Sequence, residues 1–241
     1  NSKRNHKMML DLVSLDGIRV VLALVMLGIA CASDMKKREI NDIIWIISGA
    51  IAACLIPFSG DITEELLKIG IAMIVAPIVI IIWRFGLFGG ADAFALIVLA
   101  ALTPNFSLVN GTITPFTALT NAVLLSIIPM LVNVTRNSIL LAKKCDIFEG
   151  FNETKKKKII AMFVGYRAAN PKFGFSIEQK QGKYKKLNLS LQHAEYAEFC
   201  TKKDTWITPG IPYMLFIAAG FVLQLVYGDV IFSAFNAFLH A

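Results

Sequence analysis

Residues 78–99 read IVIIIWRFGLFGGADAFALIVL, two apolar runs separated by the segment FGLFGGAD at residues 85–92. The runs have the composition of buried or membrane-crossing helices, and Gly89 and Gly90 indicate a break between them. Asp92 follows this break and stands at the start of the second run. Because a charge is costly in apolar surroundings, Asp92 is a loop residue, a helix cap or an acid with a chemical role.

Composition is typical of a multi-span membrane protein. Of the 241 residues, 56% are hydrophobic, and charged residues cluster in short patches and between Lys143 and Asp204. The net charge of +7 is then expected to set topology and to contact anionic headgroups. No basic patch is interleaved with aromatic residues, so nucleic-acid binding is not expected. The cysteines and histidines lack metal-ligand spacing, so we expect neither a metal nor another cofactor.

The apolar runs predict an all-α polytopic membrane protein, because about 20 apolar residues cross the hydrocarbon core. We expect six transmembrane helices with a small mixed α/β cytoplasmic insert between helices five and six. The predicted helices are residues 15–33, 43–59, 66–84, 93–109, 115–141 and 208–239. Residues 1–142 therefore carry helices one to five, residues 143–207 form the insert, and residues 208–241 carry helix six.

Polar residues inside the predicted helices have local interpretations. Asp16 and Arg19, three residues apart in helix one, can neutralise each other. Asn121, Ser126 and Asn133 in helix five are expected to form interhelical hydrogen bonds. Helix six is long enough to break near Gly228.

The insert is predicted to combine a basic helix with a β-hairpin. Residues 155–167 form a basic amphipathic segment whose apolar side chains can lie on the membrane surface. Residues 173–177 and 184–189 alternate in polarity on either side of Gln181-Gly182, which predicts a hairpin.

Basic residues predict the orientation, because they accumulate on the cytoplasmic side of membrane helices. The connections after helices one, three and five are basic, whereas the acidic connection 59–65 belongs to the opposite side. Both termini are therefore predicted to lie outside, although Lys3, Arg4 and Lys7 favour the reverse. The basic residues of the cytoplasmic connections are Lys36, Lys37, Arg38, Arg84, Lys143, Lys144 and Lys155 to Lys158.

Two acids stand at helix ends on this cytoplasmic side: Asp34 closes helix one and Asp92 opens helix four. Two neighbouring carboxylates tend to share one proton. The ionised member can take a proton from a water that attacks a peptide carbonyl, while the protonated member donates to the oxyanion or the leaving nitrogen. Gly89 and Gly90 would allow unusual backbone conformations and let a substrate strand approach.

Three other interpretations remain open at this point. Asp92 can be a helix cap, and Asp34 an interfacial acid beside Lys36. The chain can instead be a small cation- or proton-coupled transporter that uses Asp34 and Asp92, although such acids more often lie at mid-span of inverted repeats. A non-enzymatic assembly factor that binds a partner through the basic insert would tolerate loss of either aspartate.

The segment Gly89-Gly90-Ala91-Asp92 resembles the Gly-x-hydrophobic-Asp signature of membrane-embedded, GxGD-type aspartyl proteases. Residues 34–41, DMKKREIN, resemble the end of the first helix in type IV prepilin peptidases. The chain is most similar to their archaeal branch, the preflagellin and prepilin peptidases, and residues 206–212 share this likeness. The resemblance extends over residues 18–235.

This resemblance implies an aspartic endopeptidase with Asp34 and Asp92 as its catalytic pair. Its substrates would be preflagellin- or prepilin-like preproteins, cut on the cytoplasmic side between a short basic leader and a hydrophobic helix. No methyltransferase activity is expected, because the cysteine-paired domain of bacterial relatives has no counterpart here. Many relatives have Gly-Lys after the second aspartate, whereas this chain has Ala93-Phe94.

Charge suggests further roles around the pair. Glu39, Asp42 and Asp146 are candidate contacts for a basic leader. The helix dipole favours Asp92, at an amino-terminal end, as the base and Asp34 as the acid, whereas the basic residues after Asp34 oppose this assignment.

Overall fold

The computed structural model describes residues 14–104, 106–107, 112–181, 184–189 and 197–239. The helices are α1 (Leu15–Lys37), α2 (Ile43–Leu55), α3 (Ile62–Ala72), α4 (Val75–Arg84), α5 (Gly90–Leu102), α6 (Phe116–Leu125), α7 (Ile127–Ala142), α8 (Lys155–Val164), α9 (Tyr213–Tyr227) and α10 (Val230–Leu239). The strands are β1 (Phe106–Ser107), β2 (Thr112–Ile113), β3 (Tyr166–Ala168), β4 (Gly174–Ser176), β5 (Glu178–Gln181), β6 (Tyr184–Leu187) and β7 (Thr205–Pro209).

The chain divides into two compact units. The first contains the residues up to 125 and those from 212 onward, and the second contains residues 126–211. The first unit is a helical bundle, and the second joins α7 and α8 to small antiparallel sheets. The amino-terminal Lys3, Arg4 and Lys7 lie outside the described residues.

Helix α1 has defined ends at both termini. It begins after Ser14, whose side chain accepts a hydrogen bond from the Gly17 N–H. It ends at Lys37, and the next residue, Arg38, adopts a left-handed conformation (φ 60°) and donates its N–H to the Asp34 carbonyl at 2.9 Å. At 1.5 Å per residue, 23 residues reach about 34 Å, enough to cross a bilayer core.

Helix α5 differs from the predicted helix four. It covers 13 residues and ends at Leu102, not at residue 109. Most of its side chains are buried among the other helices of the first unit, including Leu96 and Leu99. A helix of this length reaches about 20 Å and has the character of a central core helix.

Within the described residues, three segments are long and apolar enough to cross a membrane: Leu15–Lys37, Ile62–Arg84 and Phe116–Ala142. A fourth is obtained if α9 and α10, bent by 47°, count as one span. Helices α2 and α5 are apolar but shorter. The protein is thus a mostly helical membrane protein with three to four candidate spans, and two shorter helices correspond to the remaining predicted spans.

The last predicted helix is correct in its break and wrong in its start. The break near Gly228 is confirmed, because α9 ends at Tyr227 and α10 begins at Val230. The predicted start at residue 208 is wrong: β7 continues to Pro209, and the helix begins only at Tyr213. The β-branched residues of Thr205–Pro209 favour a strand over a helix.

The internal pairing of Asp16 with Arg19 is also wrong. Arg19 is buried and forms an ion pair with Glu65, in the first turn of α3. A buried guanidinium is best paired with a carboxylate that is also shielded from water, and Glu65 is buried whereas Asp16 is exposed.

Close packing joins α6 to α9. A Cβ on Gly220 would overlap the Ala118 carbonyl oxygen and lie 2.8 Å from the Ala122 nitrogen. The Asn121 amide donates to the carbonyls of Gly220 (3.3 Å) and Gly228 (3.0 Å). The predicted interhelical role of Asn121 is therefore confirmed.

The sheets of the second unit pair differently from the predicted hairpin. Strands β5 and β6 form an antiparallel pair with Gln181 opposite Tyr184. The predicted first strand, residues 173–177, instead supplies β4, which pairs with β7 in a sheet of order β3-β7-β4. The hairpin exists, but its first strand is Glu178–Gln181; its connection lies outside the described residues.

The core of the second unit is built around Trp206. Its indole N–H donates to the Ile147 carbonyl at 2.7 Å, and its ring stacks on Phe148 with centroids 4.7 Å apart.

The Asn133 amide of α7 donates to the Phe163 carbonyl of α8 at 3.1 Å, which confirms the predicted interhelical role of Asn133.

Candidate active site

Asp34 lies in the last turn of α1, where the helix leaves the apolar bundle. Its side chain is half-buried, and the Arg38 guanidinium is close enough to act on its charge. The left-handed Arg38 turns the chain four residues after this aspartate. The carboxyl group therefore lies at the end of the helix, between buried and exposed surroundings.

Asp92 lies in the first turn of α5, with only 8% of its surface exposed. One carboxylate oxygen accepts the Gly89 N–H at 3.1 Å. The helix-cap interpretation is therefore correct for this oxygen. Most capping acids are solvated, however, and a buried one requires a further reason for its position.

The structure brings the two predicted catalytic residues to the same end of the first unit. The charge of Asp34 acts on Asp92, and both charges act on the thiol of Cys31. Cys31 lies one turn before Asp34, is buried, and donates its thiol hydrogen to the Met214 carbonyl at 3.3 Å. The site thus forms where α1, α5 and the start of α9 meet.

Two aromatic residues at the site were missed in the sequence. The rings of Phe88 and Tyr213 stack with centroids 5.7 Å apart and an interplanar angle of 12°. The charge of Asp92 acts on the Tyr213 hydroxyl, so this pair lies beside the carboxylate. Phe88 directly precedes the glycines, but no local pattern links it to Tyr213.

The glycines before Asp92 play different parts from those expected. Gly89 has φ −76° and ψ 160°, a conformation open to any residue, so it does not need glycine's freedom here. The left-handed glycine of this loop is Gly86, with φ 71°. A Cβ on Gly89 would meet the Asp92 carboxylate at 3.5 Å. Gly90 is buried as the first residue of α5, and Ala91 is half-buried.

The candidate leader contacts are exposed but fall in different parts of the chain. Glu39 and Asp42 lie between α1 and α2, a few residues after Asp34. Asp146 belongs to the second unit, where its carboxylate accepts the Phe148 N–H at 3.1 Å.

Residues suited to hold a metal do not cluster in the part of the chain that the structure describes: no group of three or more His, Cys, Asp or Glu occurs there. His6, His193 and His240 lie outside that part. The chemistry that the site offers is that of a carboxyl pair beside a thiol and a phenol.

Models of known protein families together match nearly the whole chain. Residues 21–134 match the family model described as the type IV leader peptidase family. Residues 132–230 match the model described as the archaeal peptidase A24 C-terminus, type II. The first of these matches contains both Asp34 and Asp92.

Proteins named preflagellin peptidase are similar to this chain over most of its length. The protein from Methanocaldococcus jannaschii is 25% identical over 235 residues, covering 90% of this chain and 97% of the relative. Those from Methanococcus voltae and Methanococcus maripaludis are 27% and 26% identical, covering 89% and 88% of this chain and 97% and 96% of the relatives.

Proposed function

The chain belongs to the type IV leader peptidase family and is a peptidase, and from this premise we propose that it removes the basic leader from preflagellin- or type IV prepilin-like preproteins. We propose that cleavage is of the aspartic type, with Asp34 and Asp92 as the catalytic pair. The observation that carries this proposal is the convergence of these two carboxyl groups at one end of the first unit.

In the proposed reaction one carboxylate removes a proton from water, and the resulting hydroxide adds to the peptide carbonyl. The protonated carboxyl of the pair donates its proton to the leaving nitrogen as the C–N bond breaks. The products are a new carboxyl terminus on the leader and a new amino terminus on the mature protein. Burial of the Asp92 side chain opposes its charge, whereas the Gly89 N–H and the amino-terminal end of α5 favour that charge and are the grounds for proposing Asp92 as the base.

The shape of the substrate fits a site at a helix end. A hydrophobic substrate helix can remain in the lipid beside the bundle while its leader extends into water. Glu39 and Asp42 follow Asp34 and present negative charge to a basic leader. Asp146 is a third candidate contact.

We propose that six helical segments cross the membrane, with the site toward the cytoplasm and both termini outside. The segments are the three long spans, the bent pair α9–α10, and the shorter α2 and α5. Residues 1–142 and the residues from Tyr213 onward then form the membrane part, and the residues between them form the cytoplasmic insert. The basic connection after α1 supports this orientation.

The first prediction tests the carboxyl pair. Asp34→Asn and Asp92→Asn should each lower cleavage of a preflagellin-like substrate in membranes by at least about 10³-fold, because neither amide can replace its carboxyl in proton transfer. The rate is measured as the appearance of the shortened product. Glu64→Gln is the matched control, since Glu64 is an exposed acid in the first turn of α3.

Near-normal cleavage by either aspartate variant would contradict the pair. The peptidase family matches favour the enzyme over a transporter or an assembly factor. If purified protein failed to cleave but supported an ion flux that required both aspartates, the transporter would replace the proposed function.

A further inference from the structure

The basic helix α8 carries an exposed face that the proposed reaction does not use. We propose that this face binds the surface of an anionic lipid bilayer. We call it the α8 outer face. It consists of Lys155, Lys156, Ile159, Ile160 and Phe163, which lie on one side of the helix. The three apolar members are 56%, 50% and 42% exposed, and both lysines are exposed.

The opposite face of α8 is committed to the insert. Ala161 is fully buried, and the Lys157 ammonium donates to the Leu187 carbonyl and to Glu153, each at 3.2 Å. Lys158 lies 5.4 Å from the centroid of the Phe148 ring. Two of the four consecutive lysines are therefore used within the protein, and Lys155 and Lys156 remain on the outer face.

The carboxyl end of α8 is tied to a helix that belongs to a candidate span. The Asn137 amide of α7 donates to the carbonyls of Met162 (3.0 Å) and Gly165 (2.8 Å). Helix α7 is the last part of the span Phe116–Ala142, and Asn137 lies five residues before its end. At 1.5 Å per residue this is about 8 Å, close to the thickness of about 5–8 Å that the headgroup region has on each side of a bilayer.

Charge and polarity identify the partner as lipid. Exposed isoleucine and phenylalanine side chains beside lysines are typical of helices that lie in the headgroup region. Anionic headgroups attract such lysines, whereas a basic leader peptide would be repelled by them. Continuity with the span and the paired lysines therefore favour a bilayer surface over a substrate segment.

The experiment places a fluorophore on this face in the full-length protein. Cys54, Cys145 and Cys200 are first replaced by serine, and Ile160→Cys is labelled with an environment-sensitive dye in nanodiscs of anionic lipid. Lipids that carry a quencher near the headgroup should quench this dye several-fold more than a dye at Glu149→Cys. Glu149 is the control because its side chain is 76% exposed and lies outside α8.

The lysines are tested in the same labelled protein. Lys155→Gln with Lys156→Gln should shift the ratio of docked to undocked α8 on the order of 30-fold in anionic nanodiscs. Lys172→Gln with Lys203→Gln removes the same charge from exposed positions elsewhere in the insert and should leave quenching unchanged. Equal quenching at positions 160 and 149 would overturn the proposal, as would quenching that does not depend on anionic lipid. Neither readout requires cleavage activity, so this test is independent of the proposed reaction.

Discussion

At the scale of single residues, Asp92 shows how a carboxyl group can be kept in an apolar bundle. The Gly89 N–H satisfies one of its oxygens, and its place in the first turn of α5 adds the favourable field of the helix dipole. A solvated cap would need neither burial nor a second carboxyl nearby. Asp92 differs from an ordinary helix-capping acid because it is buried and has the carboxyl group of Asp34 nearby.

The insert also holds a buried carboxyl group, since the side chain of Glu178 is only 2% exposed. Burial acts to raise the pKa of its carboxyl, but hydrogen bonds from Lys202 and Lys185 outweigh burial and hold this pKa below its ordinary value. The two ammonium groups lie 3.1 and 3.2 Å away. Because folding lowers the pKa of this carboxyl, the charged form stabilises the folded insert. This stabilisation is present at pH values above the pKa that Glu178 has in the unfolded chain, about 4.3.

We therefore predict that Glu178→Gln destabilises the insert by about 1–2 kcal/mol at pH 7. The difference from the wild type should shrink as the pH falls below about 4, because both proteins are then neutral at this position. Hydrogen exchange of the amide of Ile177, which donates to the Trp206 carbonyl at 3.0 Å, reports this stability.

Glu149→Gln is the control for this prediction, because Glu149 is an exposed acid whose nearest cation, Arg167, is 3.9 Å away. It should change exchange by no more than a few tenths of a kcal/mol. If the destabilisation by Glu178→Gln were the same at pH 3 as at pH 7, the packing of this side chain, and not its charge, would stabilise the insert.

At the scale of elements, α6 and α9 pack closely because one residue of α9 at their contact, Gly220, has no side chain. Gly220 lies against the backbone of Ala118 and Ala122, and a Cβ there cannot be accommodated by moving a side chain. We predict that Gly220→Ala separates the helices at a cost of about 1–3 kcal/mol, more than the ~1 kcal/mol that alanine gains in a helix. The purified protein should therefore unfold at a lower temperature.

Gly28→Ala supplies the comparison, since a Cβ on Gly28 would have no atom within 4 Å. It lies within α1, so the same substitution should leave the unfolding temperature unchanged or raise it. Equal unfolding temperatures for Gly220→Ala and the wild type would mean that α6 and α9 are not packed as closely as described.

Local sequence predicted those elements whose signals are local. The end of α1 and the start of α5 were visible because charge or glycine interrupts an apolar run, and this placed Asp34 and Asp92 at one end. The Arg19–Glu65 pair was not predictable, since its members are 46 residues apart and Asp16 offered a nearer partner. Tyr213 was missed for the same reason: only the folded bundle brings it to Phe88.

Length and burial explain the remaining errors. Apolarity alone extended helix four to residue 109, but α5 is buried by protein on most sides and does not need the length of a lipid-exposed helix. Residues 173–177 have the alternation of a strand, and the pattern cannot say whether their partner is the next strand or the distant β7.

At the scale of the whole molecule, α5 decides how many times the chain crosses the membrane. It begins near Asp34 and ends at Leu102, and the next residue, Thr103, lines a small pocket together with Arg19 and Glu65. Arg19 and Asp34 lie 15 residues apart on α1, or about 22 Å. Helix α5 therefore connects the two ends of the first unit despite its short length.

The last prediction tests this crossing in two proteins that each keep one thiol besides the buried Cys31. In one protein this thiol is Gly60→Cys, with Cys54, Cys145 and Cys200 replaced by serine. In the other it is the native Cys145, with Cys54 and Cys200 replaced by serine. If the span Ile62–Arg84, α5 and the span Phe116–Ala142 all cross, three crossings separate these positions. A membrane-impermeant thiol reagent should then label Gly60→Cys in intact cells and Cys145 only after permeabilisation. Labelling of both thiols from the same side would mean that α5 does not cross. Labelling of Cys145 alone in intact cells would retain the crossing and reverse the proposed orientation, since the basic connections would then lie outside.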